Sequence, residues 1–145
     1  MIRSLTLAAL SAYLFVILAL TLAYMHPQHR PVSERLSLTP FQSVVRDVSR
    51  GGRAMWVNIV GNVVVFAPLG AGIAGLGGGR ARLRHAALAG FLLSAAIETA
   101  QFQTGRRFSD IDDVILNTLG AVLGYAAFAA IRRLAVRGAT REPAA

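Results

Sequence analysis

No charged side chain occurs between Arg3 and Arg30, between Arg53 and Arg80, or between Asp113 and Arg132. A fourth stretch, His85 to Gln103, carries a single acidic residue, Glu98. A helix needs ~20 apolar residues to cross a hydrocarbon core ~30 Å thick, so these runs predict four membrane spans. They lie at roughly Leu5–Met25, Trp56–Leu76, His85–Phe102 and Val114–Ile131. Lipid offers no partner to an open backbone edge, which leaves helices as the spanning structure unless strands close a barrel. The expected fold is all-α, a polytopic membrane protein with four transmembrane helices.

The net charge of +8 comes from arginine alone, for the chain has no lysine. The arginines flank the apolar runs, where they read as topology signals and contacts to anionic lipid rather than as a nucleic-acid surface. No nucleic-acid partner is expected. Arg80, Arg82 and Arg84 crowd one short turn, and Arg132-Arg133 directly follow the fourth span. This density predicts cytoplasmic N- and C-termini, with the connectors 26–55 and 103–113 outside. The absence of cysteine excludes disulfides and thiolate chemistry. The first span exceeds the usual apolar core of a signal peptide, and no small-x-small site precedes His26, so a retained helix is expected.

Within the first connector, Thr39 can cap a helix with Pro40 at its first position. Phe41, Val44, Val45 and Val48 recur at helical spacing, opposed by Arg46, Asp47 and Arg50. That pattern predicts a short amphipathic interfacial helix between the first two spans, lying on the membrane surface or packed on the bundle. Pro68 interrupts the backbone ladder of the second span. Gly120 and Gly124 form a small-xxx-small face suited to close helix contact, including contact with a second copy. Residues 1–135 read as one transmembrane domain and 136–145 as a flexible tail.

Polar residues enter the spans at a common level. The second and fourth spans start, and the third ends, on the side of the long connector. Asn62 lies roughly 9 Å into its span and Glu98 roughly 7 Å from the end of its own. Asn58 and Asn62 share one helical face, as do Glu98 and Gln101. Arg107, Asp110, Asp113 and Asn117 step by three, three and four along another, with Asp112 off that stripe. A carboxylate inside a span is costly and normally faces a bundle interior with a partner. These eight residues, Asn58, Asn62, Glu98, Gln101, Arg107, Asp110, Asp113 and Asn117, are therefore the candidate ligand-binding set. Glu98 and Asp113 are the candidates for acid–base chemistry.

The bland readings stay open beside the sharp ones. Glu98 can be a structural carboxylate held by Gln101, Asn62 or Arg107. Capping of the fourth span accounts for at least one of Asp110, Asp112 and Asp113, and without a recognised loop motif they do not make a metal site. No metal and no cofactor are expected. Arg107 can grip an anionic group or pair with Asp110.

The run Asn62-x-x-x-Phe66-x-Pro68-x-Gly70, then Glu98-x-x-Gln101, then Arg107-x-x-Asp110-x-x-Asp113-x-x-x-Asn117-Thr118-x-Gly120 resembles the VanZ-like family in order and spacing. The resemblance covers Trp56 to Tyr125, with Leu38-x-Pro40-Phe41 as a further common feature upstream; Arg106 duplicates the arginine beside Arg107. It implies a small multi-span protein of the bacterial cytoplasmic membrane and a cell-envelope role, the name-giving member being associated with teicoplanin resistance. Three functions are compatible with these residues. One is binding of an amphiphile in an outer-leaflet polar cleft, whether a membrane lipid, a lipid-linked envelope precursor or a lipophilic glycopeptide. The second is a membrane-embedded enzyme on such a lipid with Glu98 as acid or base. The third is a small proton-coupled transporter, disfavoured because the polar groups lie near one surface and not at the midplane.

Overall fold

The computed structural model describes residues 2–23, 36–77, 80–104 and 109–139. Arg107 and Arg106, the start of the long connector, and most of the glycine turn before Arg80 lie outside them. The described elements are α1 (Ile2–Ala23), β1 (Leu36–Ser37), α2 (Gln42–Arg50), α3 (Gly52–Met55), α4 (Gly61–Gly77), α5 (Leu83–Thr104), β2 (Ser109–Asp110) and α6 (Ile111–Ala139). A π-helical turn, Trp56–Val60, joins α3 to α4, so Trp56–Gly77 forms one continuous apolar helix. Apart from a two-residue parallel bridge, in which Leu36 faces Ser109 and Ser37 faces Asp110, the described architecture is all-α.

Helix α6 packs chiefly against α4 and α5. Helices α4 and α6 run parallel: Gly120 lies against the Val63 backbone and Gly124 against Ala67, while Gly70 meets the Ala121 carbonyl. A methyl group at any of the three would overlap a carbonyl of the neighbouring helix. Glycine allows the backbones to touch, which is the main source of helix affinity where solvent gives no hydrophobic drive. The glycine face that suggested contact with a second copy is thus filled within the chain by α4. Helix α5 runs antiparallel to both, with Gly90 against Thr118 and Ala121.

Helix α1 packs antiparallel on α4, Leu10 against Gly72. The Tyr13 hydroxyl donates to the Val65 carbonyl at 2.6 Å, in the turn before Pro68. Pro68 has no N–H for the Val64 carbonyl one turn earlier, and the Tyr13 bond falls on the next carbonyl along. Ile17, Phe66, Leu69, Ile97 and Ala121 form the apolar core.

The rest of the burial pattern is inverted relative to a water-soluble domain. Buried residues include Ser43, Asp47, Ser94, Glu98, Gln101, Ser109, Asp112 and Asn117, whereas Phe15, Val64, Leu92, Ile131 and Leu134 are exposed. Charged and amide groups are normally the exposed ones. Trp56–Gly77 and Ile111–Gly138 are long and apolar enough to cross a membrane by length and composition.

Two local expectations are corrected. Helix α2 starts at Gln42, not at Pro40, and its N-cap is Phe41 in a left-handed conformation with φ 65°. Its free N–H groups are met from α6, as described below, because a hydroxyl such as that of Thr39 can accept far fewer donors than a carboxylate. Helix α6 also runs on to Ala139, four residues into the stretch assigned to the tail. The Ala-Val-Arg-Gly-Ala sequence there continues a helix at little cost, since one glycine opposes it by only ~1 kcal/mol.

Candidate functional site

Asp110 and Asp112 organise the end of the bundle where α5 finishes, α6 begins and the connector returns. Asp110 sits just before α6, and its Oδ1 accepts the Asp112 N–H at 3.0 Å, an N-capping geometry. Its Oδ2 accepts a short hydrogen bond from the Ser43 hydroxyl. The Arg46 guanidinium donates to that same hydroxyl oxygen at 2.6 Å. Asp112 is 1% exposed. Its Oδ1 accepts the Phe41 N–H at 2.5 Å, and its Oδ2 accepts those of Ser43 and Val44 at 2.8 and 3.0 Å. A carboxylate on the first turn of α2 satisfies orphan donors and meets the positive end of the helix dipole.

This arrangement turns α2 inside out. Ser43 and Asp47 are buried, while Phe41, Val45 and Val48 face outward, each more than half exposed. The polar face packs on the bundle, which is one of the two expected arrangements, and the apolar face is exposed. Asn58, itself exposed, donates to Asp47 Oδ2 at 2.8 Å and so fixes α2 to the start of the long helix.

Glu98, 6% exposed on α5, accepts the Asp110 N–H at 2.9 Å through Oε2. The bridge between Ser37 and Asp110 lays the connector beside this contact. A cavity of about 270 Å³ opens there, with Leu36, Leu38, Phe102 and Val114 as apolar walls and Glu98 and Asp110 as its carboxylates. The remaining candidates go elsewhere in the same end of the bundle. Asn62 donates to Asp113 Oδ1 at 2.6 Å across α4 and α6. Asn117 donates to Ser94 Oγ at 2.8 Å across α5 and α6, and its buried Oδ1 has no hydrogen-bond partner among the described residues. Gln101 is buried at 3% exposure.

The structure thus brings Glu98 and Asp110 to one cavity and ties Asp113, Asn117 and Asn58 to separate helix interfaces. Asp110 and Asp112 both accept from Ser43 while Asp113 accepts from Asn62, and no group of three acidic or histidine side chains converges on a metal-sized point among the described residues. Sequence reasoning missed Asp112, Ser43 and Asp47. The available signal was the left-handed residue preceding α2, which cannot be read from a phenylalanine, and an aspartate placed off the polar stripe.

A helical bundle with an apolar exterior and buried carboxylates gathered at one end is consistent with a membrane protein. The chain belongs to the VanZ/LLP1 family, whose model matches residues 5–132. No curated protein and no solved structure matches the chain.

Proposed function

We propose that this protein crosses the bacterial cytoplasmic membrane four times, through α1, Trp56–Gly77, α5 and α6, and binds an amphiphile beside Glu98 on the outer side. The observation that carries the reading is a buried carboxylate forming one wall of a cavity whose other walls are largely apolar. A cavity of about 270 Å³ is at the small end of ligand pockets, so it takes a head group while the tail stays in lipid. Glu98 and Asp110 favour head groups with ammonium or hydroxyl donors, and Leu36 and Leu38 shield those contacts from water. Arg107, three residues before Asp110 in the chain, is assigned to the anionic portion of the ligand. A lipid-linked envelope precursor or a lipophilic glycopeptide has this chemistry, and capture of such a molecule would support glycopeptide resistance of the teicoplanin type.

The test is binding of radiolabelled envelope lipid and of a teicoplanin-class glycopeptide to the purified full chain. Glu98→Gln should weaken binding about tenfold, the cost of one charge-assisted hydrogen bond. Leu38→Trp should block the cavity without touching a charge. Wild-type affinity in both variants, with normal elution on gel filtration, overturns the assignment.

The pairing of Glu98 with Asp110 also favours a second reading, an enzyme on the same lipid. The Asp110 N–H fixes Glu98 Oε2 as an orienting contact fixes a general base. A lipid product that accumulates with wild type and not with Glu98→Gln supports catalysis; identical lipid profiles with and without the protein reject it.

A further inference from the structure

The opposite end of the bundle carries a basic groove that the site at Glu98 does not explain. Phe128 lies against Gly75, two residues before α4 ends at Gly77, yet α6 continues to Ala139. About three turns of α6 therefore project past its main partner. The overhang, the end of α4 and the residues leading into α5 enclose a groove of about 450 Å³. Its apolar floor is formed by Ala74, Phe128 and Ala129, and its rim by Arg132, Arg133 and Arg137. Spacings of three, one and four from Ala129 put these residues on one side of α6. The Tyr125 hydroxyl donates to the Ala81 carbonyl at 2.7 Å, which holds the turn before α5 against α6 and keeps the groove in shape.

We propose that this groove is a binding site for an anionic phospholipid of the leaflet that faces the chain termini. Three guanidinium groups within six residues make a strongly cationic rim, and each presents a planar fork of donors matched to phosphate oxygens. The floor is the part a free phosphate would not need. It receives the glycerol backbone and the first methylenes of the acyl chains, and the remaining chain length leaves past the exposed ring of Phe128. The volume exceeds that of the cavity at Glu98, in keeping with a larger polar unit. Anionic lipid is concentrated in the cytoplasmic leaflet, where the arginine density places this end of the molecule. The site rests on the bundle being in a membrane and not on ligand binding at Glu98.

Native mass spectrometry of the full chain, released from micelles doped with either phosphatidylglycerol or phosphatidylcholine, tests the assignment. Wild type should retain phosphatidylglycerol preferentially. Replacing Arg132, Arg133 and Arg137 together by glutamine should lower retention about a hundredfold, at about fivefold for each arginine. Ala129→Trp, which fills the groove and leaves every charge, should also release the lipid. Exchanging Arg50, Arg53 and Arg84, none of which lines the groove, for glutamine removes the same charge and should leave retention unchanged. Equal loss in both arginine variants means diffuse attraction and overturns the site, as does wild-type retention by Ala129→Trp. Equal retention of phosphatidylcholine, or displacement of the lipid by millimolar inorganic phosphate, overturns the choice of ligand. Retention of radiolabelled ligand through Glu98 is read separately, so either site can fail without the other.

Discussion

Asp112 Oδ2 accepts the backbone N–H of Ser43, a residue 69 positions earlier in the chain. The contact joins the start of α6 to the start of α2. With the neighbouring bonds to Phe41 and Val44, it makes one buried carboxylate the N-terminal cap of α2.

Removing that carboxylate exposes its dependence. Asp112→Ala should destabilise the protein by about 3 kcal/mol, because buried N–H donors lose their acceptor. Hydrogen exchange would locate the effect: the Ser43 and Val44 amides should exchange far faster, with α4 and the middle of α6 still protected. Unchanged protection in α2 would show that the cap contributes nothing there.

Asn62 and Asp113 should be coupled. Interhelical hydrogen bonds inside membranes contribute about 0.5–2 kcal/mol. A double-mutant cycle with Asn62→Ala and Asp113→Ala, read by denaturant titration in micelles, should return a coupling in that range. Strict additivity would mean that the 2.6 Å contact carries no net energy.

The glycines give a contrast within one helix. Gly124→Ala should cost about 2–3 kcal/mol, since the new methyl meets the Ala67 carbonyl and the backbones must separate. Gly138→Ala meets nothing within 4 Å and should instead stabilise α6 by about 0.5–1 kcal/mol through helix propensity. Thermal unfolding of the two variants should move in opposite directions, and a shared direction would contradict the packing described.

Tyr13→Phe keeps the ring and removes only the bond to Val65. A loss of about 1 kcal/mol is expected, and α1 should become the first helix to lose protection from exchange. Unaltered exchange of α1 would assign its docking to Leu10 and the other apolar contacts alone.

The native chain has no cysteine, so single replacements report topology cleanly. Ser49→Cys on α2 should react with an impermeant maleimide added outside intact cells. Gly138→Cys should react only after permeabilisation. Labelling of both from one side would rule out an arrangement with four spans.

Much of this geometry was legible because it obeys helical arithmetic. Asn62 and Asp113 meet since both lie near the start of parallel helices that begin on one side, and Glu98 reaches Asp110 because α5 ends where α6 begins. What escaped depended on partners distant in sequence. Thr39 offers a local cap and so conceals the need for Asp112, which by spacing alone lies off the polar stripe. The two-residue bridge of Leu36 and Ser37 with Ser109 and Asp110 is too short to leave a pattern. Gly120 and Gly124 announce a close contact but not whether it lies within one chain or between two, and only the position of Val63 and Ala67 decides that.

The cap on α2 also dictates an order of events at the ribosome. Synthesis proceeds from the N-terminus, so Phe41, Ser43 and Val44 emerge well before Asp112 exists. Until then the first turn of α2 has no carboxylate to close it, and Glu98 has no Asp110 N–H to accept. A nascent chain stalled before residue 110 would hold α2 uncapped and Glu98 without that donor. Translation of the final helix is therefore the step that completes the earlier ones.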